Sequence, residues 1–331
     1  MKFVRTAVVA LSLLLLGTRA IQAEPSKEDA PASQTVPPAP EPTPSPTAAP
    51  TTVNESSEDR LRRAIELAAG FLGPQQLRGD EAWIVTQGAN LLGSKFKAWA
   101  RTLSVFPAVV KAAKESPLKA FPLLLPTEGR LWALRGLPER KVAALPKPDT
   151  ASTAEVESRH VDDQSVGDLI LVTIMSAACR ELTPKLRSEW LKCLAKDKHA
   201  YVLIGQLSGA MLGYNQGCLS PGVLNPIRRR LATSMFQELR ADIGSLDDLE
   251  IQRIATLCYA GACDWIDPEL IDRLVTEQQR GGSWGWRDPH ITGMAVGTRN
   301  HTAASAFYAL ARSWSLHHAS SRTPGPKPPG M

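Results

Sequence analysis

Residues 201–212 form an apolar run carrying Gly205, Ser208 and Gly209, with Gly213 just beyond. Small residues so closely spaced let neighbouring helices approach one another, and they leave little side chain to build a pleated surface. Elsewhere no stretch alternates with the period-two, β-branched pattern of a sheet, so the fold read from the sequence is all-α. Residues 169–178 are a second apolar run, too short to cross a bilayer. Residues 228–240, 247–259, 268–279 and 300–314 continue as short helices between turn-rich loops. Upstream, Ser57 is a candidate N-cap, with Glu58 and Asp59 in the first turn and Leu61, Ile65, Ala68 and Leu72 on one face. Asp80 would cap a helix carrying Trp83, Ile84, Leu91 and Leu92, and residues 95–114 another that Pro107 should kink. Residues 145–163, rich in Pro, Ser, Thr and charge, read as a loop dividing the body.

The two ends have a different character. Residues 1–23 read as a signal peptide: Lys2 and Arg5, an apolar core, then a small-residue end at Ala23. Residues 24–56 form a linker with nine prolines between positions 24 and 50 and no apolar periodicity, which cannot bury enough surface to offset its ordering entropy. The helical body spans residues 57–318, and residues 319–331 return to Pro-rich composition as a tail. Loss of Lys2, Arg5 and Arg19 with the leader lowers the formal charge from +5 to +2, so the charge does not point to nucleic acid. The expectation is an exported chain, secreted or periplasmic, with no membrane span once the leader is removed.

The body holds five cysteines, an odd number for an oxidising compartment. Cys179 and Cys193 flank a turn at Thr183-Pro184 and are the first candidates for a bridge, while Cys258 and Cys263 stand five apart; buried reduced thiols are the alternative. The odd cysteine admits a bond between two chains. Three acid pairs, Asp162-Asp163, Asp247-Asp248 and Asp264 with Asp267, would supply a general acid and base if two faced one cleft, but each precedes a helix, where acids cap N-termini. Trp284, Trp286, Arg287 and His290 form an aromatic and polar cluster suited to a sugar or a peptide, or else packed under its own loop. Arg228, Arg229 and Arg230 make a local basic patch, and Asn54 and Asn300 head N-glycosylation sequons. The sequence contains no phosphate loop or nucleophile elbow, and no cofactor is expected.

From Ile271 the chain reads IDRLVTEQQRGGSWGW and, after a loop, RNHTAASAFYALARSW. Gln278-x3-Gly282-x-Trp284 followed by a small-residue helix resembles the repeat of α/α toroids, the fold of terpenoid cyclases and protein prenyltransferases. The resemblance implies a Gln that bonds helix-end carbonyls and an indole that stacks over the turn. It also implies a zinc set at the mouth, for which Cys263, Asp264 and His301 supply the residue types without a complete motif. CRELTPKLRSEWLKC, AYVLIGQLSGAMLGYNQGC and LCYAGACDW, in that order, resemble a secreted vertebrate family known as thyroid-enriched, which implies a helical, homodimeric protein with no assigned reaction. The expected function is therefore a non-enzymatic interaction module for a protein or glycan partner, with Trp284, Trp286, Arg287 and His290 as its contact. The alternative is a zinc-dependent toroid enzyme acting on a glycan or peptide through Asp264, His301 and Asp163.

Overall fold

The computed structural model describes residues 55–75, 77, 79–94, 134, 137, 139–148, 163–196, 198–241, 246–284 and 297–320. The leader, most of the Pro-rich linker, residues 95–114 and the tail from 321 lie outside them, as do Asn54, Trp286, Arg287 and His290. Nine α-helices occur among the described residues: α1 Ser57–Leu72, α2 Gly79–Leu92, α3 Asp163–Ala177, α4 Pro184–Ala195, α5 Ala200–Asn215, α6 Pro221–Ala241, α7 Asp248–Tyr259, α8 Pro268–Thr276 and α9 Gly297–Ser320. Short 3-10 turns at Cys179–Glu181 and Cys263–Trp265 follow α3 and α7. No strand is present among the described residues, and the protein is all-α there. None of these helices is long and apolar enough to cross a membrane.

Local chemistry sets the helix starts. Ser56, one residue ahead of the expected cap, accepts from the Asp59 amide, and the face of Leu61, Ile65, Ala68 and Leu72 is buried as its spacing predicts. Thr183 caps α4 with Pro184 at its first position. Asp247 opens α7 with a reciprocal capping box, its carboxylate taking the Glu250 amide while the Glu250 side chain takes the Asp247 amide. In α2, however, Asp80 stands inside the first turn rather than at the cap. Its best-buried face is Ala82, Val85 and Ala89, with Trp83, Ile84, Leu91 and Leu92 only partly covered.

Five helices run in one direction, each beside the next. Along α3 and α5, Lys198 pairs with Asp168 near their starts (2.6 Å), and Gln216 donates to the Ser176 carbonyl near their ends (2.8 Å). Along α5 and α7, the Tyr201 hydroxyl donates to Asp248 at one end (3.0 Å) and Asn215 donates to the Tyr259 hydroxyl at the other (2.5 Å). Thr302 at the start of α9 donates to Asp248, and the Tyr259 and Tyr308 rings meet 6.1 Å apart further on. His301 of α9 then lies 3.2 Å from Asp80 of α2, and Phe307 and Tyr308 pack against Gly88. Three further helices, α4, α6 and α1, run the opposite way. Trp190 of α4 meets Gly213 while its Cys193 carbonyl accepts from Gln206. Glu238 of α6 bonds Arg253 while Arg228 reaches Ala260, and Glu58 at the start of α1 meets His318 near the end of α9.

The close approach of α3 to α5 is what the small residues of α5 permit. A Cβ on Gly205 would fall 2.4 Å from the Leu169 side chain, and one on Gly209 2.4 Å from the Ser176 hydroxyl. Around these contacts a single set of touching buried side chains extends from Leu61 in α1 to Leu310 in α9. Its largest fully buried members are Trp190, Trp265, Trp284 and Phe307; a side chain of that size stabilises by about 2–3 kcal/mol when taken from water.

The bridges differ from the first expectation. Cys179 pairs with Cys218, 39 residues on, and Cys258 with Cys263, leaving Cys193 partly buried as the free thiol. The parallel packing of α3 and α5 explains the partner: Cys179 follows the end of α3, Cys218 follows the end of α5, and those ends coincide. Cys193 sits on α4, which runs back along α5 and carries it away from Cys179.

Candidate functional site

Because α5, α7 and α9 are parallel, their starting turns meet at one end, and the polar side chains of those turns are brought together. Asp248 is the hub. Its carboxylate accepts from Tyr201 of α5, from Gln252 of its own helix (2.7 Å) and from Thr302 of α9, which satisfies a carboxylate that is only 3% exposed. Behind it Arg253, equally buried, donates to Glu250 (3.1 Å) and to Glu238 of α6 (2.7 Å). Glu238 also accepts from the amide of Ala200 (3.1 Å) and lies 2.9 Å from His199. Ala200 has φ +50°, a left-handed conformation unusual for a residue with a Cβ, and the Glu238 contact holds it there. Burial, together with the neighbouring Asp247, pushes the Glu250 carboxyl up to about 9, against the lowering influence of Arg253.

Next to this network the first turn of α2 supplies Asp80 and Glu81 to His301 of α9. One ligand-capable atom from each, a carboxylate oxygen or an imidazole nitrogen, lies within 4.8 Å of the others. Glu81 is 1% exposed, while the side chains of Asp80 and His301 keep 32% and 20% of their surface. The cluster is thus walled on the Glu81 side and open on the other.

The opposite end of the same helices gathers a second group. Glu139, in the segment 139–148 that is neither helix nor strand, accepts from the Tyr308 hydroxyl (3.2 Å) and lies 4.0 Å from Arg312. Burial pushes its carboxyl up from the usual range, and burial likewise pushes the Tyr259 and Tyr308 hydroxyls well above theirs. Trp83 packs edge-on against Tyr259 at 5.0 Å. The segment is pinned across these helix ends: the Arg140 amide donates to Asn215, the Leu145 amide to Gly261, and the Trp265 indole to the Leu145 carbonyl.

The expected site residues are dispersed by this arrangement. Asp264 is exposed, in the turn that follows the end of α7. His301 stands at the start of the parallel α9, so about 15 Å of helix rise separates the two. Cys263 is joined to Cys258 and cannot also be a metal ligand. Asp163 is the first residue of α3, and nothing further is described of its side chain. Trp284, expected as a contact residue, is 2% exposed: its indole donates to the Leu274 carbonyl near the end of α8 (2.8 Å) and is spent on packing the turn. Asn300 is 7% exposed in the first turns of α9, which removes it as an accessible glycan acceptor in the folded chain. The basic patch is not a patch either. Arg228 is buried and donates to the Ala143 and Ala260 carbonyls, and Arg230 donates to Leu194, so only Arg229 is exposed.

The sequence groups His301 with Cys263 and Asp264, whereas the structure sets it beside Asp80 and Glu81. Local pattern makes Asp80 a helix cap and does not single out Glu81. The signal that could have found them is an acidic pair opening a helix whose face is too small and apolar to need both charges for solubility. In comparisons with known proteins, no family model, curated protein or solved structure matches the chain.

Proposed function

We propose that this protein is an exported, non-enzymatic interaction module of partial α/α-toroid form. It engages an extracellular protein or glycan at the end where the starts of α5, α7 and α9 converge. The observation that carries the reading is the row of five parallel helices, each beside the next, with antiparallel helices α1, α4 and α6 against them. A toroid is a ring of parallel inner helices with their antiparallel partners outside, and this is the corresponding arc. The Gln-Gly-Trp turn adds support: Gln278 donates to the Ala64 carbonyl of α1 (3.0 Å) and to Gly282 (3.2 Å), tying the α8 turn to a neighbouring helix. Export is supported by two intrachain disulfides, which persist in oxidising compartments. Catalysis by Asp264 with His301 is disfavoured because the two occupy opposite ends of the parallel helices. A homodimer is supported by the odd, partly exposed Cys193.

The test is expression with the native leader, followed by peptide mapping without reductant and screening of the purified product on glycan and peptide arrays. The expected result is a processed chain carrying both bridges, with saturable binding that leaves the ligand's mass unchanged. An unprocessed, reduced chain inside the cell would refute export, and a mass change in the bound ligand would restore the enzyme reading.

A further inference from the structure

We infer that the outer face of α4 binds a sulfated polysaccharide. Trp190 and Leu194 bury one side of this helix, and the opposite side carries Lys185, Ser188 and Lys192, continued by Lys196 at the C-cap, all of them exposed. Spacings of three, four and four residues place the three lysines in one line about 16 Å long. Glu189, which pairs with Lys192 at 3.0 Å, is the one acid of α4. Asp168 of the neighbouring α3 is taken by Lys198 (2.6 Å). The face is therefore positive along its length.

Lysines near the end of a helix ordinarily serve its dipole and its last carbonyls. Here that service comes from elsewhere. The carbonyls of Cys193 and Lys196 accept from Gln206 (2.6 and 2.9 Å), and that of Leu194 accepts from Arg230 (2.6 Å), so a guanidinium already stands at the end of α4. Lys185 lies in the first turn, where the dipole opposes a positive charge and no acid offsets it. A row of cations that the helix does not use for itself is the complement of a row of anions. An anionic membrane would be met by bulky apolar side chains set among the cations, but Ser188 stands between these lysines and the exposed Leu186 lies to one side. A polysaccharide with a sulfate on successive sugars presents its charges in a line, and lysine meets each as a point charge.

This inference rests on the export proposed above, which gives such a polymer access to the chain, but it uses a different surface from the convergent helix starts. Retention inside the cell refutes export without altering the present test, which uses the purified mature protein. The test is calorimetric titration with a heparin oligosaccharide at several salt concentrations. Saturable binding that weakens as salt rises is expected, and it should be at least about tenfold weaker in the triple variant Lys185→Gln, Lys192→Gln, Lys196→Gln. A charge-matched variant, Lys141→Gln, Arg280→Gln, Arg299→Gln, alters three exposed cations on other elements and should stay within about twofold of the parent. Circular dichroism checks the fold of each. If the lysine triple variant fails to fold, the three single variants, each expected to bind about two- to threefold more weakly, decide the matter. No saturable binding, equal loss in the two triple variants, equal affinity for a polymer carrying carboxylates alone, or tighter binding to phosphatidylserine vesicles overturns the assignment.

Discussion

Replacing Gly282 by alanine tests whether the turn between α8 and α9 is seated on α1 as closely as the structure describes. Gly282 has φ +85°, and a Cβ there would lie 2.0 Å from the Leu67 carbonyl oxygen and 2.6 Å from its carbon. Both atoms belong to the backbone of α1, so no side-chain rotation relieves the clash, and the turn must lift by about an ångström to restore a normal contact. The left-handed conformation costs an alanine about 1 kcal/mol on its own. Lifting the turn also breaks the Gln278 bond to Ala64 and loosens the buried Trp284 from Leu274, each worth about 1 kcal/mol. The expected destabilisation is therefore about 3 kcal/mol or more. At the neighbouring Gly281 a Cβ would meet nothing within 4 Å, so Gly281→Ala should change stability by less than about 0.5 kcal/mol. Urea denaturation followed by circular dichroism measures both. A Gly282→Ala variant within about 1 kcal/mol of the parent, or a Gly281→Ala variant equally damaged, would refute the reasoning.

The two bridges should differ in weight. Removing Cys179–Cys218 by double serine substitution opens a loop of 39 residues and should cost about 4 kcal/mol, against about 2 kcal/mol for Cys258–Cys263, both read from denaturant midpoints of the oxidised chains. Thiol titration should find one thiol per monomeric chain, at Cys193. Burial raises its pKa, so labelling of the native protein should be slower than that of an exposed thiol at about pH 8 and should accelerate as pH rises past the ordinary value of 9.0. Glu139, raised by burial, binds its proton more tightly in the folded chain than in the unfolded one. Stability from this group is full below its ordinary value of 4.5 and declines as pH climbs from there to the folded value, so Glu139→Gln should flatten that decline in denaturation midpoints measured from about pH 4 to 8.

Helices were legible in the sequence because they depend on local periodicity. The buried face of α1 and the close-packed glycines of α5 follow from spacing alone. Helix ends were legible to within a residue where a cap was present, as at Ser56, and less so where tertiary packing sets the start, as at Asp80. What could not be read was anything decided by helix direction. Cys179 finds Cys218 rather than Cys193 because α3 and α5 are parallel, and Asp264 is parted from His301 because α7 and α9 are parallel too. The Asp80, Glu81 and His301 group depends on α2 and α9 being neighbours across most of the chain, which no local pattern encodes. Arg228 illustrates the opposite error: a run of three arginines looks like surface, but buried carbonyls at Ala143 and Ala260 need a donor, and one of the three supplies it.

The placement of α9 bears on when this protein can fold. It packs against α1, α2, α7 and α8, and it supplies the buried run from Thr302 to Ala311 that fills the space among them. Until that stretch has been synthesised, α1 and α2 lack their principal partner among the described helices, although they are the first of those helices to leave the ribosome. Among the described residues, the apolar faces of α1 and α2 therefore wait for a helix more than two hundred residues downstream. Such a delay would suit the export proposed above, in which a chain is threaded through a translocation channel before it acquires shape. Under the proposed export, the oxidising side of the membrane, where the cysteines can pair, is where that shape would be acquired.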